Sequence, residues 1–293
     1  MPSFKTRVVS FVLRKTGIYR RLFSGGPDFP RHQAKALSVP SEPTAKMKTK
    51  LSVAKSEFQG RTVWDVAPRG RAPVATILYW HGGGYVYPAA EAHWSFVAWM
   101  AEHHGWRMIV PLYPLAPMAE VDEIAGFALA FYKDLASRED MSKLVMGGDS
   151  AGGGLTAATV MAARDAGLAL PAKLILICPW LEASPDHPDQ ARIEPRDAIL
   201  TVRGIREAGE MYAGAAGTKD PRVSPIHADW GGLPPILAFG GGDDILVVDS
   251  RALKASLPSI DYVEEPGMIH DWPIFFFPES RLAQARMAAF AVQ

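Results

Sequence analysis

The sequence predicts an α/β chain, a mainly parallel central sheet with helices on both faces. Two observations carry that expectation. From about residue 61 onward, short β-type runs alternate with stretches of helical periodicity. The runs are apolar along their length, as strands covered on both sides must be. The strand-like runs fall at 62–67, 74–80, 107–111, 143–147, 173–178, 236–240 and 261–264. Helix-like stretches lie at about 93–104, 121–137, 151–166, 197–213, 249–257 and 279–291. In such sheets the reactive groups sit on loops beyond the carboxyl ends of the strands. Residues 183–215, where Pro, Asp, His and Arg crowd ahead of a helix, suit an insertion above the sheet.

Composition narrows the class. The 293 residues, 48% hydrophobic and 21% charged, make an ordinary globular protein with room for one large core. The net charge of zero gives no footprint for a nucleic-acid partner. Cys178 is the single cysteine, so an internal disulfide is excluded and a packed thiol is expected. No apolar run approaches the ~20 residues of a spanning helix, and no secretory signal is evident, so a cytoplasmic protein is expected.

The zero balance hides an asymmetry. Residues 1–50 hold eleven Lys or Arg against only Asp28 and Glu42. Phe4, Val8, Phe11, Val12, Ile18 and Leu22 recur there near helical spacing, with basic residues between them. Such a helix either lies on anionic lipid or lays its apolar face on the rest of the protein, and the second is the expected arrangement.

The loop after 143–147 reads Gly148-Asp149-Ser150-Ala151-Gly152 and runs into a helix of small residues. A serine held at the tip of a strand-to-helix turn is a nucleophile elbow. Its neighbours must lack bulk because strand and helix approach closely, and the helix start aims backbone N–H groups, Ala151 among them, at a developing oxyanion. The overlapping run Gly152-Gly153-Gly154-Leu155-Thr156-Ala157 resembles a dinucleotide fingerprint, but it starts inside the helix and lacks an acidic residue about twenty positions on. A second glycine run, His81-Gly82-Gly83-Gly84-Tyr85, follows the strand at 74–80. There the N–H groups of Gly82 and Gly83 would complete an oxyanion hole with Ala151, while His81 would orient the loop.

Together with Tyr113-Pro114-Leu115-Ala116-Pro117, Pro179-Trp180-Leu181, Ser224-Pro225 and Leu233-Pro234-Pro235, these motifs resemble the bacterial hormone-sensitive-lipase-like family of α/β-hydrolase esterases over about residues 61–285. The resemblance implies a capped α/β-hydrolase fold, no cofactor, and hydrolysis of short to medium acyl esters. It further implies a cap built from residues 1–50 and part of 183–215 over a catalytic domain at 51–293, and a homodimer. The chain departs from the family at Met118, where a glutamate usually follows the Ala-Pro pair.

The remaining members of a serine triad follow in the order acid, then histidine. The loop after 236–240 carries Asp243 and Asp244. The family's pattern selects Asp244, Asp243 remains a competitor, and Asp249 is expected to cap the next helix. Of the eight histidines only His270 lies beyond that loop. Ser150, Asp244 and His270 therefore compose the expected triad, acting on a small ester without a metal. Tyr85 and Trp272 are candidates for an aromatic substrate pocket, as are Tyr87 and Phe275–Phe277. An amidase using the same triad and a non-catalytic receptor are the other classes open, the receptor disfavoured by the presence of His270.

Overall fold

The computed structural model describes residues 2–293. Three helices, α1 (Phe4–Thr16), α2 (Phe29–Leu37) and α3 (Ala45–Lys50), precede the first strand. The chain continues through β1 (Leu51–Phe58), β2 (Arg61–Pro68), β3 (Ala75–Trp80), α4 (Glu91–His104), β4 (Trp106–Pro111), α5 (Val121–Ala136), β5 (Leu144–Asp149) and α6 (Ala151–Asp165). Then come β6 (Lys173–Ile177), α7 (Pro188–Ile193), α8 (Val202–Ala213), β7 (Ile236–Gly241), α9 (Val247–Ser256), β8 (Asp261–Glu265) and α10 (Pro278–Val292). The strands form one sheet in the order β1-β2-β4-β3-β5-β6-β7-β8. Pairing is antiparallel at β1–β2 and β2–β4 and parallel elsewhere.

Every residue of β5 and β7 is buried, which explains why their sequences are apolar without alternation. Helix α6, rich in Gly and Ala, is buried almost all round and lies directly against the sheet. The chain leaves β3 for β4 on one side and returns past β3 to β5 on the other. A crevice opens at the carboxyl ends where such connections diverge.

Strand β1 was not expected. Its residues are mostly exposed and half polar, as suits an edge strand, so they carry no apolar run. The available signal was Gln59-Gly60, a two-residue connection with φ of 47° and 74°, the geometry of a tight hairpin. The helix expected at 197–213 starts later, at Val202. The Asp197 carboxylate accepts N–H bonds from Ile199 and Leu200, and the Thr201 hydroxyl accepts from Gly204 at 2.9 Å, capping the helix there. Asp249 is not a cap. It lies in the first turn of α9, and its carboxylate accepts from Leu181 and Glu182 N–H at 2.8 and 3.0 Å, tying β7's side of the sheet to the segment after β6.

The segment at 2–50 is joined to 183–215 by polar contacts. Arg20 pairs with Glu194 at 3.4 Å, and Gly26 N–H donates to Glu207 at 2.7 Å. The Gln33 amide donates to Val86 O at 3.0 Å and Tyr87 OH to Leu22 O at 2.6 Å, which joins the 2–50 segment to the loop after β3. The expected burial of α1's apolar face does not occur. Its inward face is Thr6 and Ser10 with half-buried Val9 and Leu13, the Thr6 hydroxyl donating to Glu279 at 2.6 Å and Arg14 pairing with Asp243 at 3.4 Å. These polar tethers turn Phe4, Val8, Phe11 and Val12 outward. No helix among the described residues is long and apolar enough to cross a membrane.

Candidate active site

Ser150 stands between β5 and α6 with φ of 51° and ψ of −120°, a conformation that L side chains rarely adopt. The surroundings impose it. Ser150 N–H donates to Ile177 O at 2.9 Å and Ser150 O accepts from Trp180 N–H at 2.9 Å, fixing the turn to the neighbouring strand end. A Cβ on Gly148 or Gly152 would collide with the backbone of Trp80, so only glycine fits on either side of the turn.

The glycine loop after β3 lies beside this elbow. Gly82 was expected to offer its N–H to an oxyanion, and the structure corrects this: Gly82 N–H donates to Asp149 Oδ1 at 3.0 Å. The N–H groups of Gly83, Gly84 and Ala151 have no hydrogen-bond partner among the described residues. His81 is buried, with Nδ1 2.7 Å from Gly82 O and its ring stacked on Tyr113 at 4.4 Å. Burial pushes its pKa down to about 4, so the ring is neutral.

Asp149 is the residue that sequence reasoning passed over. Its fully buried carboxylate accepts from Tyr79 OH and Gly82 N–H and lies 3.1 Å from His93 Nε2. Burial opposes its charge, but His93 and Tyr79 outweigh that and hold its pKa below the ordinary value. His93 Nδ1 accepts from Ala90 N–H at 2.8 Å, so Nε2 carries the proton that faces Asp149. The signal for Asp149 was its place inside the elbow motif; His93, on an unremarkable stretch of α4, offered none.

Of the two carboxylates after β7, Asp244 and not Asp243 meets the histidine. Asp244 is buried, with Oδ2 2.9 Å from His270 Nδ1 and Oδ1 accepting from Leu246 N–H at 2.8 Å. Asp243 points away, paired with Arg196 at 2.9 Å and Arg14 at 3.4 Å. The other ring nitrogen, His270 Nε2, lies 3.1 Å from Asp271 Oδ2. Burial opposes the His270 cation, and Asp244 followed by Asp271 overcome it, so its pKa stands well above the ordinary imidazole value. Cys178 is buried beneath this pair, and burial pushes its thiol up. A sulfur, a nitrogen and an oxygen of Cys178, His270 and Asp271 lie within 4.8 Å of one another, yet both nitrogens of His270 already face carboxylates.

Ser150, Gly83 and His270 share a cavity of about 490 Å³. Its apolar wall comes from Tyr19, Leu22, Phe23, Tyr87, Ile199 and Phe275, so the N-terminal segment and the 183–215 segment both reach it. Tyr85 and Trp272, expected in the pocket, are elsewhere. Tyr85 is buried face to face with Tyr212 at 3.7 Å, and Trp272 is buried with Nε1 donating to Gly240 O at 3.1 Å. Both aromatics are drawn into the core by packing that the sequence does not display. The cavity thus presents a hydroxyl, an imidazole held by a buried carboxylate and three unpartnered N–H groups, the equipment of acyl transfer.

Comparison with known proteins places this arrangement. The family described as the alpha/beta hydrolase fold matches residues 77–274. LipR of Mycobacterium tuberculosis is 35% identical over 237 residues, 78% of this chain and 77% of that one. An acetyl-hydrolase of Streptomyces hygroscopicus is 31% identical over 223 residues, 73% of this chain and 74% of that one. A crystal structure of an esterase from the bacterial hormone-sensitive lipase family superposes with a TM-score of 0.82 at 27% identity, covering 100% of this chain and 98% of that one. The chain belongs to the α/β-hydrolase fold family, among the hormone-sensitive-lipase-like carboxylic ester hydrolases.

Proposed function

We propose that Ser150 is the nucleophile of a serine carboxylesterase, His270 its general base and Asp244 the carboxylate that orients the imidazole. Ser150 Oγ attacks the ester carbonyl while His270 takes its proton. The N–H groups of Gly83, Gly84 and Ala151 receive the oxyanion, and the alcohol leaves with a proton from His270. Water then releases the acyl group by the same route. The observation that carries the reading is the contact of Asp244 with His270 Nδ1 at the edge of the cavity that Ser150 enters. A cavity of about 490 Å³ walled by aromatic and aliphatic groups favours short to medium apolar acyl chains.

Residues 1–50 with part of 183–215 act as a cap over residues 51–293, since both segments line that cavity. The same reading makes the protein a cytoplasmic homodimer.

The test is hydrolysis of p-nitrophenyl butyrate by the wild type beside Ser150→Ala, His270→Ala, Asp244→Asn and Asp243→Asn, each checked for folding. Loss of roughly a thousandfold or more is expected for the first three. Asp243→Asn stays within about threefold, since it removes only surface ion pairs. Undiminished turnover by Ser150→Ala sinks the assignment, and faster cleavage of a matched amide than of the ester moves the protein to the amidases.

A further inference from the structure

Helix α1 packs Val9 and Leu13 on the body yet turns a second, larger apolar stripe outward. A helix on a protein surface ordinarily turns its apolar stripe to the core. Here positions 4, 8, 11 and 12, which share one face, are Phe4 (75% exposed), Val8 (43%), Phe11 (55%) and Val12 (49%), while Thr6 and Ser10 are buried on the opposite side. Ile18, 61% exposed, extends the stripe past the Gly17 turn. Contiguous exposed apolar surface of this kind marks a binding face.

The charge around the stripe says what binds. Residues 2–27 contain Lys5, Arg7, Arg14, Lys15, Arg20 and Arg21 and no carboxylate. Arg14 and Arg20 turn to the body, pairing with Asp243 and Glu194. Lys5, Arg7, Lys15 and Arg21 are exposed and form no ion pair among the described residues. An apolar stripe flanked by unpaired cations complements an anionic lipid surface, with the rings in the acyl boundary and the cations at the headgroups. A second copy of this chain seated two-fold on the same face would set cations against cations.

We infer that α1 docks this protein on anionic lipid bilayers, with the substrate cavity at the lipid surface. The helix lies over the machinery: Arg14 holds Asp243, next to Asp244, and Tyr19 and Leu22, just beyond α1, line the cavity. Esters dissolved in the bilayer reach Ser150 through the cap without crossing bulk water. This delivery rests on the esterase reading; the docking does not.

Full-length Ser150→Ala protein, which keeps the surface but not the nucleophile, is floated with vesicles of phosphatidylcholine alone or with phosphatidylglycerol added. Binding is expected to the mixed vesicles only, and to fall with added salt. Val8→Asp and Phe11→Asp, both at exposed positions, lower it at least about tenfold. Lys5→Glu lowers it about fivefold or more. In an otherwise wild-type chain, Phe11→Asp leaves turnover of dissolved p-nitrophenyl butyrate unchanged, which separates failed docking from a failed active site. Absence of binding to phosphatidylglycerol vesicles overturns the inference, as does binding that Phe11→Asp leaves intact. A wild-type dimer that Phe11→Asp dissociates, without vesicle binding, hands the stripe to a second copy.

Discussion

Asp271 Oδ2 stands 3.1 Å from His270 Nε2, the nitrogen that in our proposal must take the Ser150 proton. The histidine is therefore held between two buried carboxyl groups, Asp244 at one nitrogen and Asp271 at the other. Asp271 is itself under tension: burial lifts its pKa to about 7, and its left-handed φ of 54° fixes it beside the ring. His270 works as a base only when neutral, so the rate climbs as pH rises through its elevated pKa. Asp271→Asn removes one of the charges that raise that pKa. The acid limb of the kcat/KM profile then moves to lower pH by about one to two units. A limb that stays in place detaches Asp271 from the base.

Asp149 joins three buried donors, Tyr79, Gly82 and His93. Asp149→Ala leaves them buried without an acceptor, at a cost of roughly 3–5 kcal/mol. Urea unfolding measures this. A loss under about 1 kcal/mol means that the network contributes little to the fold.

Acyl length is expected to follow the wall residues, Tyr87 and Phe275 among them, and not Tyr85 or Trp272. Ile199→Trp narrows the cavity and shifts preference toward acetate across a series of p-nitrophenyl esters. Tyr85→Phe, which deletes a buried hydroxyl with no partner, leaves that series unchanged and alters stability by less than about 1 kcal/mol. A reversed pattern would return Tyr85 to the pocket.

Burial raises the Asp249 carboxyl to about 8, against an ordinary value of 3.8. Its folded state therefore holds the proton more tightly than the unfolded chain does. The resulting stability is complete below about pH 4 and drains away as pH rises to about 8. Asp249→Asn flattens that slope, as read from unfolding free energies between those limits. An unchanged slope assigns the pH dependence to other groups.

The sheet and the serine were legible because each obeys a local rule. Covered strands are apolar throughout, and a strained turn leaves glycines on both sides of Ser150. His270 followed from chain order alone. Features that depend on direction were hidden: three successive glycines look alike until Asp149 claims Gly82, and Asp243, which the family's pattern had passed over in favour of Asp244 but the residues alone had not, is drawn outward by Arg14 and Arg196. Periodicity located the stripe of α1, but which face the body covers was decided by Glu279 and Asp243, more than two hundred residues away.

Strands β3 and β5 are immediate neighbours, and the glycine loop and the serine turn are their direct continuations. The gap between those two loops is accordingly inherited from inter-strand hydrogen bonding, ~4.8 Å wherever sheets form. Such a dimension cannot drift while the sheet persists. The helices at 1–50 and 183–215 carry no comparable constraint, and substitutions among them can redraw the choice of ester generation after generation while the distance that governs bond cleavage stays constant.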